Sequence, residues 1–209
     1  MKQTPKTNYQ LVLDKTIQDI TSSGKRPSLL LHACCAPCSS YVLEYLTQYF
    51  DITVFYYNPN ISPESEYRYR TEEVQRLIRE FKPEVKFIEG EYEPQRFYEM
   101  AKGLEKEPER GARCLKCYRL RLEESAKAAL KGGFDYFTTT LSISPQKDSQ
   151  VLNSIGKEVS DIYNIPYLFS DFKKRGGYKR SIELSAQFSL YRQNFCGCVF
   201  SKTAGSDDK

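Results

Sequence analysis

No uninterrupted apolar stretch in this chain approaches the roughly 20 residues that a membrane-spanning helix needs. The start, MKQTPKTNYQLVLDK, also lacks the apolar centre of a secretory signal, so a cytoplasmic location is expected. There is no internal repeat and no low-complexity tract, which excludes a solenoid or an array. A large charge excess is missing too: 31 Lys and Arg stand against 27 Asp and Glu, a net +4, so only local clustering can argue for a polyanionic partner. Histidine occurs once, at His32, on an apolar run where a satisfied core histidine is the ordinary outcome. The seven cysteines form three tight groups, at 34, 35 and 38, at 114 and 117, and at 196 and 198. An odd number so clustered is unlike the spread framework of a disulfide-stapled domain and points to metal binding or redox work in a reducing compartment. A chain of 209 residues with 40% hydrophobic content buries one substantial core without such staples.

Apolar runs alternate with amphipathic ones. Strands are expected at residues 28–32, 52–57, 85–88, 134–141 and 166–169. Helices are expected at 37–49, 63–81, 94–102, 114–131, 145–163 and 179–192, after a helically spaced LVLDKTIQDI segment in an N-terminal arm, 1–27. This order implies an α/β domain over 28–201, a mostly parallel sheet flanked by helices, with sites at the carboxyl ends of its strands. Residues 202–209 are expected to form a disordered tail.

Cys34 and Cys35 fall where the first strand ends, Pro37 suits the first position of the next helix, and Cys38 lies in its opening turn. The positive end of a helix dipole favours thiolates there. Cys114 and Cys117 share one helical face, with Arg113, Lys116 and Arg119 adjacent, while Cys196 and Cys198 flank a glycine. Three chemistries fit. Cys35-Ala-Pro-Cys38 between strand and helix matches a thioredoxin-like dithiol oxidoreductase, but leaves two further pairs without a role. Two C-x-x-C pairs match a structural zinc site, as in a zinc-stabilised RNA-binding module without catalysis. An iron–sulfur cluster accepts an irregular Cys34-Cys35 turn together with Cys114 and Cys117.

Taken together, HACCAPC, YNPNI, EYRYR, C-L-K-C, TTTLSISPQKD, DFKKRGGYKRSIELS and LYRQNFCGCVFS resemble the QueH family of epoxyqueuosine reductases, from about Ser28 to Ser201. The resemblance implies reduction of epoxyqueuosine to queuosine in the anticodon loop of tRNA, without cobalamin. It implies a [4Fe–4S] cluster on Cys34, Cys35, Cys114 and Cys117, with Cys196 and Cys198 as a redox-active pair fed by an electron donor. It extends to an additional iron, for which Cys38 is one candidate ligand. The implied fold is a PP-loop/HUP-like sheet; HACCAPC stands where those nucleotide hydrolases carry their SGGxDS phosphate loop, so use of ATP is not expected.

Two further groups follow. Asp171, just past a strand end, is a candidate proton donor or relay for the departing oxygen, or a ligand of the second metal, against the plain alternative of a turn cap. Lys173, Lys174 and Arg175, beside Gly176, Gly177 and Tyr178, suit phosphate contacts with a single-stranded RNA loop. Tyr191 and Arg192, directly ahead of the CGC group, are candidates to meet the substrate.

Overall fold

The computed structural model describes residues 6–201; the tail expected at 202–209 lies outside the described residues. Four strands, β1 (Ser28–His32), β2 (Asp51–Tyr56), β3 (Lys86–Glu89) and β4 (Tyr136–Thr139), form one parallel sheet in the order β3-β2-β1-β4. Its helices are α1 (Tyr9–Ser22), α2 (Ala36–Leu46), α3 (Glu64–Phe81), α4 (Pro94–Ala101), α5 (Ala112–Gly132), α6 (Ser149–Tyr163) and α7 (Gly177–Gln187).

Because successive side chains of a strand point to opposite faces, the apolar runs feed two cores. Leu29 and Leu31 of β1, with Ile52, Val54 and Tyr56 of β2, pack against Leu13 and Ile17 of α1, Leu43 and Leu46 of α2, and Leu77 of α3. Leu30, Phe55 and Phe137 point the other way, onto Leu122 and Ala126 of α5 and Leu152 and Val159 of α6. The result is the expected α/β arrangement, a parallel sheet between two helical layers.

Four departures from the expected bounds stand out. The strand expected at 134–141 stops at Thr139, whose hydroxyl accepts from the Leu141 amide and turns the chain into a 3-10 helix, Thr140–Ile143. The strand expected at 166–169 makes one bridge, Tyr167 to Phe137; beyond it Asn153 of α6 engages both backbone groups of Ser170 and replaces the ladder. The helices expected at 145–163 and 179–192 begin and end earlier or later than their patterns suggest. Asp148 caps α6 by accepting from the Gln150 amide, leaving 144–147 as a loop, and α7 ends at Gln187 before Ser189 adopts a left-handed φ of 48°.

Candidate metal centre

β1 delivers Cys34 and Cys35 to the carboxyl edge, and Cys35 is the N-cap of α2, with Pro37 in its first turn. The sulfurs of Cys34, Cys35 and Cys38 all lie within 4.8 Å of one another, the only such group of potential metal ligands among the described residues. Cys34 and Cys35 are 3.8 Å apart, close enough to share a proton. Hydrogen bonds from Cys35 and Cys38, with the nearby charges of Lys147 and Arg121, hold the Cys34 thiol well below its usual range against the effect of burial. Sharing with Cys34 pushes Cys35 up to about 12 and raises Cys38 as well. Of the three, Cys34 is the thiol that carries negative charge most readily, with Cys35 and Cys38 as its hydrogen-bond partners.

Cys38 therefore joins Cys34 and Cys35 more closely than the sequence suggested, and Cys114 and Cys117 stand apart from this tight group. Their connection runs through α5, where Cys114, Cys117 and Arg121 recur at the three- and four-residue spacing of one helical face. Cys34 and Cys114 pack against the same apolar cluster, whereas Cys117 and Cys198 share a smaller one with Phe97 and Ala101. Burial raises Cys114 and pushes Cys117 up to about 12. All seven cysteines are free thiols, so no disulfide joins Cys196 to Cys198.

A cavity of about 490 Å³ opens between the ends of β1, β2 and β4 and the 193–196 segment; Cys34, Cys35, Cys38 and Cys196 all line it. Four cations line it, Arg70, Arg121, Lys147 and Arg192, and the sulfurs act on two of them. Arg121, 2% exposed, donates through Nε to His32 Nε2 at 3.3 Å and through Nη2 to Asn58 Oδ1, with no carboxylate partner among the described residues. Half-buried Lys147 has no such partner either. Burial works against both charges, but the sulfurs outweigh it: chiefly Cys117 and Cys34 for Arg121, and Cys196 and Cys34 for Lys147, so both pKa values rise. An isolated buried cation is unfavourable unless compensated. A thiolate-ligated anionic centre supplies that compensation, so the residues fit a metal or iron–sulfur group.

His32 lies beneath this layer. Burial first, then Arg121, lowers its pKa to about 3, so the imidazole is neutral; Nδ1 meets Thr139 Oγ1 at 2.8 Å. It is the satisfied core histidine expected, and it supports the cation above it.

Other expected site residues sit elsewhere. Asp171 is buried but does not line the cavity: its carboxylate accepts from Ser149 at 3.0 Å and pairs with Lys173 at 2.7 Å, which gives it the work of holding the turn before α7. Lys173 also reaches the Ser142 carbonyl, and Arg175 pairs with Asp14 at 2.6 Å, leaving Lys174 as the exposed member of that triplet without a carboxylate partner. Arg192 lines the cavity and donates to Ser185 Oγ at 3.0 Å. Tyr191 turns away, its hydroxyl donating to Glu66 and its amide to Glu73. Arg113, adjacent to Cys114, donates to the carbonyls of Leu104, Glu105 and Glu107, and Arg119 pairs with Glu158. Sequence reasoning missed Arg121 and Lys147. The signal for Arg121 was present, an arginine four residues after Cys117 on the helix face that also carries Tyr118, Leu122, Ser125 and Ala126.

The family model described as "Epoxyqueuosine reductase QueH" matches residues 29–204. Curated proteins named Epoxyqueuosine reductase QueH are similar over most of their length. The one from Staphylococcus epidermidis is 50% identical over 202 residues, covering 94% of this chain and 85% of the relative. That from Streptococcus pyogenes serotype M1 is 44% identical over 212 residues, covering 99% and 83%. That from Thermotoga maritima is 38% identical over 180 residues, covering 83% and 90%. With a match across the whole sheet and all three cysteine groups, the chain belongs to the QueH family of epoxyqueuosine reductases.

Proposed function

We propose that this protein reduces epoxyqueuosine to queuosine in the anticodon loop of tRNA, without cobalamin, using a [4Fe–4S] cluster held by Cys34, Cys35, Cys114 and Cys117. Cys38 is the thiol left for an additional iron. The observation that carries the reading is the gathering of thiols with Arg121 and Lys147, which have no carboxylate partner among the described residues, at the carboxyl edge of a parallel sheet. When bound, such a centre supplies electron transfer and Lewis acidity toward the epoxide oxygen.

The chain's own groups do the rest. Arg121 and Lys147 offset the negative charge that the thiolates carry as ligands. Removing the epoxide oxygen as water, with formation of the ring double bond, consumes two electrons and two protons. Oxidation of Cys196 and Cys198 from dithiol to disulfide releases the same number of each, and a cellular reductant of lower potential regenerates the pair. Cys196 lines the cavity and Cys198 packs beside Cys117, which suits a relay between the two regions. Lys174, Lys179 and Arg192 are proposed to meet the RNA backbone around the cavity mouth.

Anaerobic, iron-loaded protein given a reduced viologen and an anticodon stem-loop carrying epoxyqueuosine is expected to yield a product lighter by one oxygen. A stem-loop recovered unchanged from fully loaded protein would overturn the proposal.

A further inference from the structure

The thiols occupy only part of the cavity. Its remaining wall carries three buried side-chain atoms without a hydrogen-bond partner: Asn60 Oδ1, Arg70 Nη2 and Gln193 Oε1. Asn60 and Arg70 are each 2% exposed. They come from YNPNI and EYRYR, two segments to which neither metal binding nor electron transfer gives a role.

The three are gathered at the CGC loop. Arg70 pairs through Nε with Glu66 at 2.6 Å, donates through Nη1 to the Cys196 carbonyl at 3.2 Å, and lies over the Phe195 ring at 5.0 Å. A methyl group built on Gly197 would meet Arg70 Nη1 at 3.0 Å and Ile61 Cγ1 at 3.1 Å, which brings the backbone next to Asn60 against the same loop. Gln193 precedes Cys196 by three residues. Arg70 is thus fixed by two of its nitrogens and presents the third.

A buried donor or acceptor left unpaired is costly, and two acceptors and one donor sharing a cavity wall define a complementary ligand. That ligand offers two hydrogens and at least one accepting oxygen. Resting on the epoxyqueuosine reading, we propose that Asn60, Arg70 and Gln193 bind the vicinal diol of the ring that carries the epoxide. Asn60 and Gln193 accept from the two hydroxyls, and Arg70 donates to a diol oxygen. Arg70 donates to the Cys196 carbonyl, and all three residues line the cavity that Cys34, Cys35, Cys38 and Cys196 also line, so a substrate whose epoxide faces the thiols presents its diol to them. Its base lies farther out along the linking chain. Specificity then follows from polar atoms that only a dihydroxylated ring satisfies.

The test compares kcat/KM of iron-loaded enzyme on three stem-loops: the parent, one whose epoxide ring lacks both hydroxyls, and one whose base lacks its exocyclic amino group. Asn60→Ala is expected to lower kcat/KM on the parent by about tenfold, with no further loss on the hydroxyl-free ring. Asn60→Asp, which keeps an acceptor, is expected to recover most of it. Gln193→Ala repeats the test at a second position, and iron content equal to wild type shows that the site is intact. A tenfold loss that persists on the hydroxyl-free ring overturns the assignment. So does a loss that disappears only on the base analogue, because the base edge would then be what is bound. Failure of wild type to turn over any of the three defeats the reductase reading itself, a different result from either.

Discussion

Arg121 shows what a single residue does here. Its guanidinium is buried, pairs with no carboxylate, and holds Asn58 and neutral His32 as acceptors. Arg121→Met leaves Asn58 Oδ1 buried and unpaired, at about 1–3 kcal/mol, while His32 Nε2 keeps the Tyr57 carbonyl at 3.1 Å. Urea denaturation of the reduced, metal-free protein should show that loss, and the variant should retain less iron after anaerobic gel filtration. Unchanged stability together with unchanged iron would mean that the charge has no structural or electrostatic task. Gly197 is the second such residue. Its φ of 106° favours glycine, and its carbonyl accepts from the Ser62 amide at 2.9 Å. Gly197→Ala strains the loop by about 1–3 kcal/mol, which hydrogen exchange at the Ser62 amide should register as faster opening. Equal exchange rates in both proteins would show that the loop tolerates a side chain there.

Among the elements, α5 does most to build the site. One face carries Cys114, Cys117 and Arg121, the last reaching the cavity wall; the next turns carry Leu122, Ala126 and Ala129 into the core behind β1 and β4. Leu122 is fully buried, so Leu122→Ala should cost about 2–5 kcal/mol. A thermal or urea melt measures it, and a loss below about 1 kcal/mol would contradict the packing described. The same helix explains what was legible in the sequence. Its 3.6-residue pattern and the Gly132-Gly133 stop show in composition, and Gly133 takes the left-handed C-cap. β1 and β2 were legible because a strand buried on both faces is an unbroken apolar run. The ends of β4 and of the 166–169 segment were not, because they are decided by side chains distant in sequence or local to the turn, Asn153 at Ser170 and Thr139 at Leu141. The same limit applies at the site. Clustered cysteines announce themselves, and Arg121 follows them at helical spacing, whereas Lys147, Asn60 and Arg70 look like ordinary surface residues until the sheet brings them together.

At the scale of the molecule, charge pairing decides what is free to meet RNA. The basic segment from Lys173 to Arg180 looks continuous in sequence, yet Lys173, Arg175 and Arg180 are paired with Asp171, Asp14 and Glu44. Lys174 and Lys179 are exposed and have no carboxylate partner among the described residues. Binding of the anticodon stem-loop should therefore weaken with salt, and Lys174→Ala or Lys179→Ala should each reduce the slope of log K against log salt by about 1. Arg175→Ala should leave that slope nearly unchanged; equal effects at all three positions would show that the internal pairs open on binding.

The most direct test of the whole account is iron, acid-labile sulfide and zinc analysis of anaerobically purified protein, beside Cys114→Ser/Cys117→Ser and Cys196→Ser/Cys198→Ser double variants. The expected result is iron and sulfide in wild type and in the 196/198 variant, with both lost from the 114/117 variant. Zinc without sulfide in wild type, or a full complement of iron and sulfide in the 114/117 variant, would contradict it.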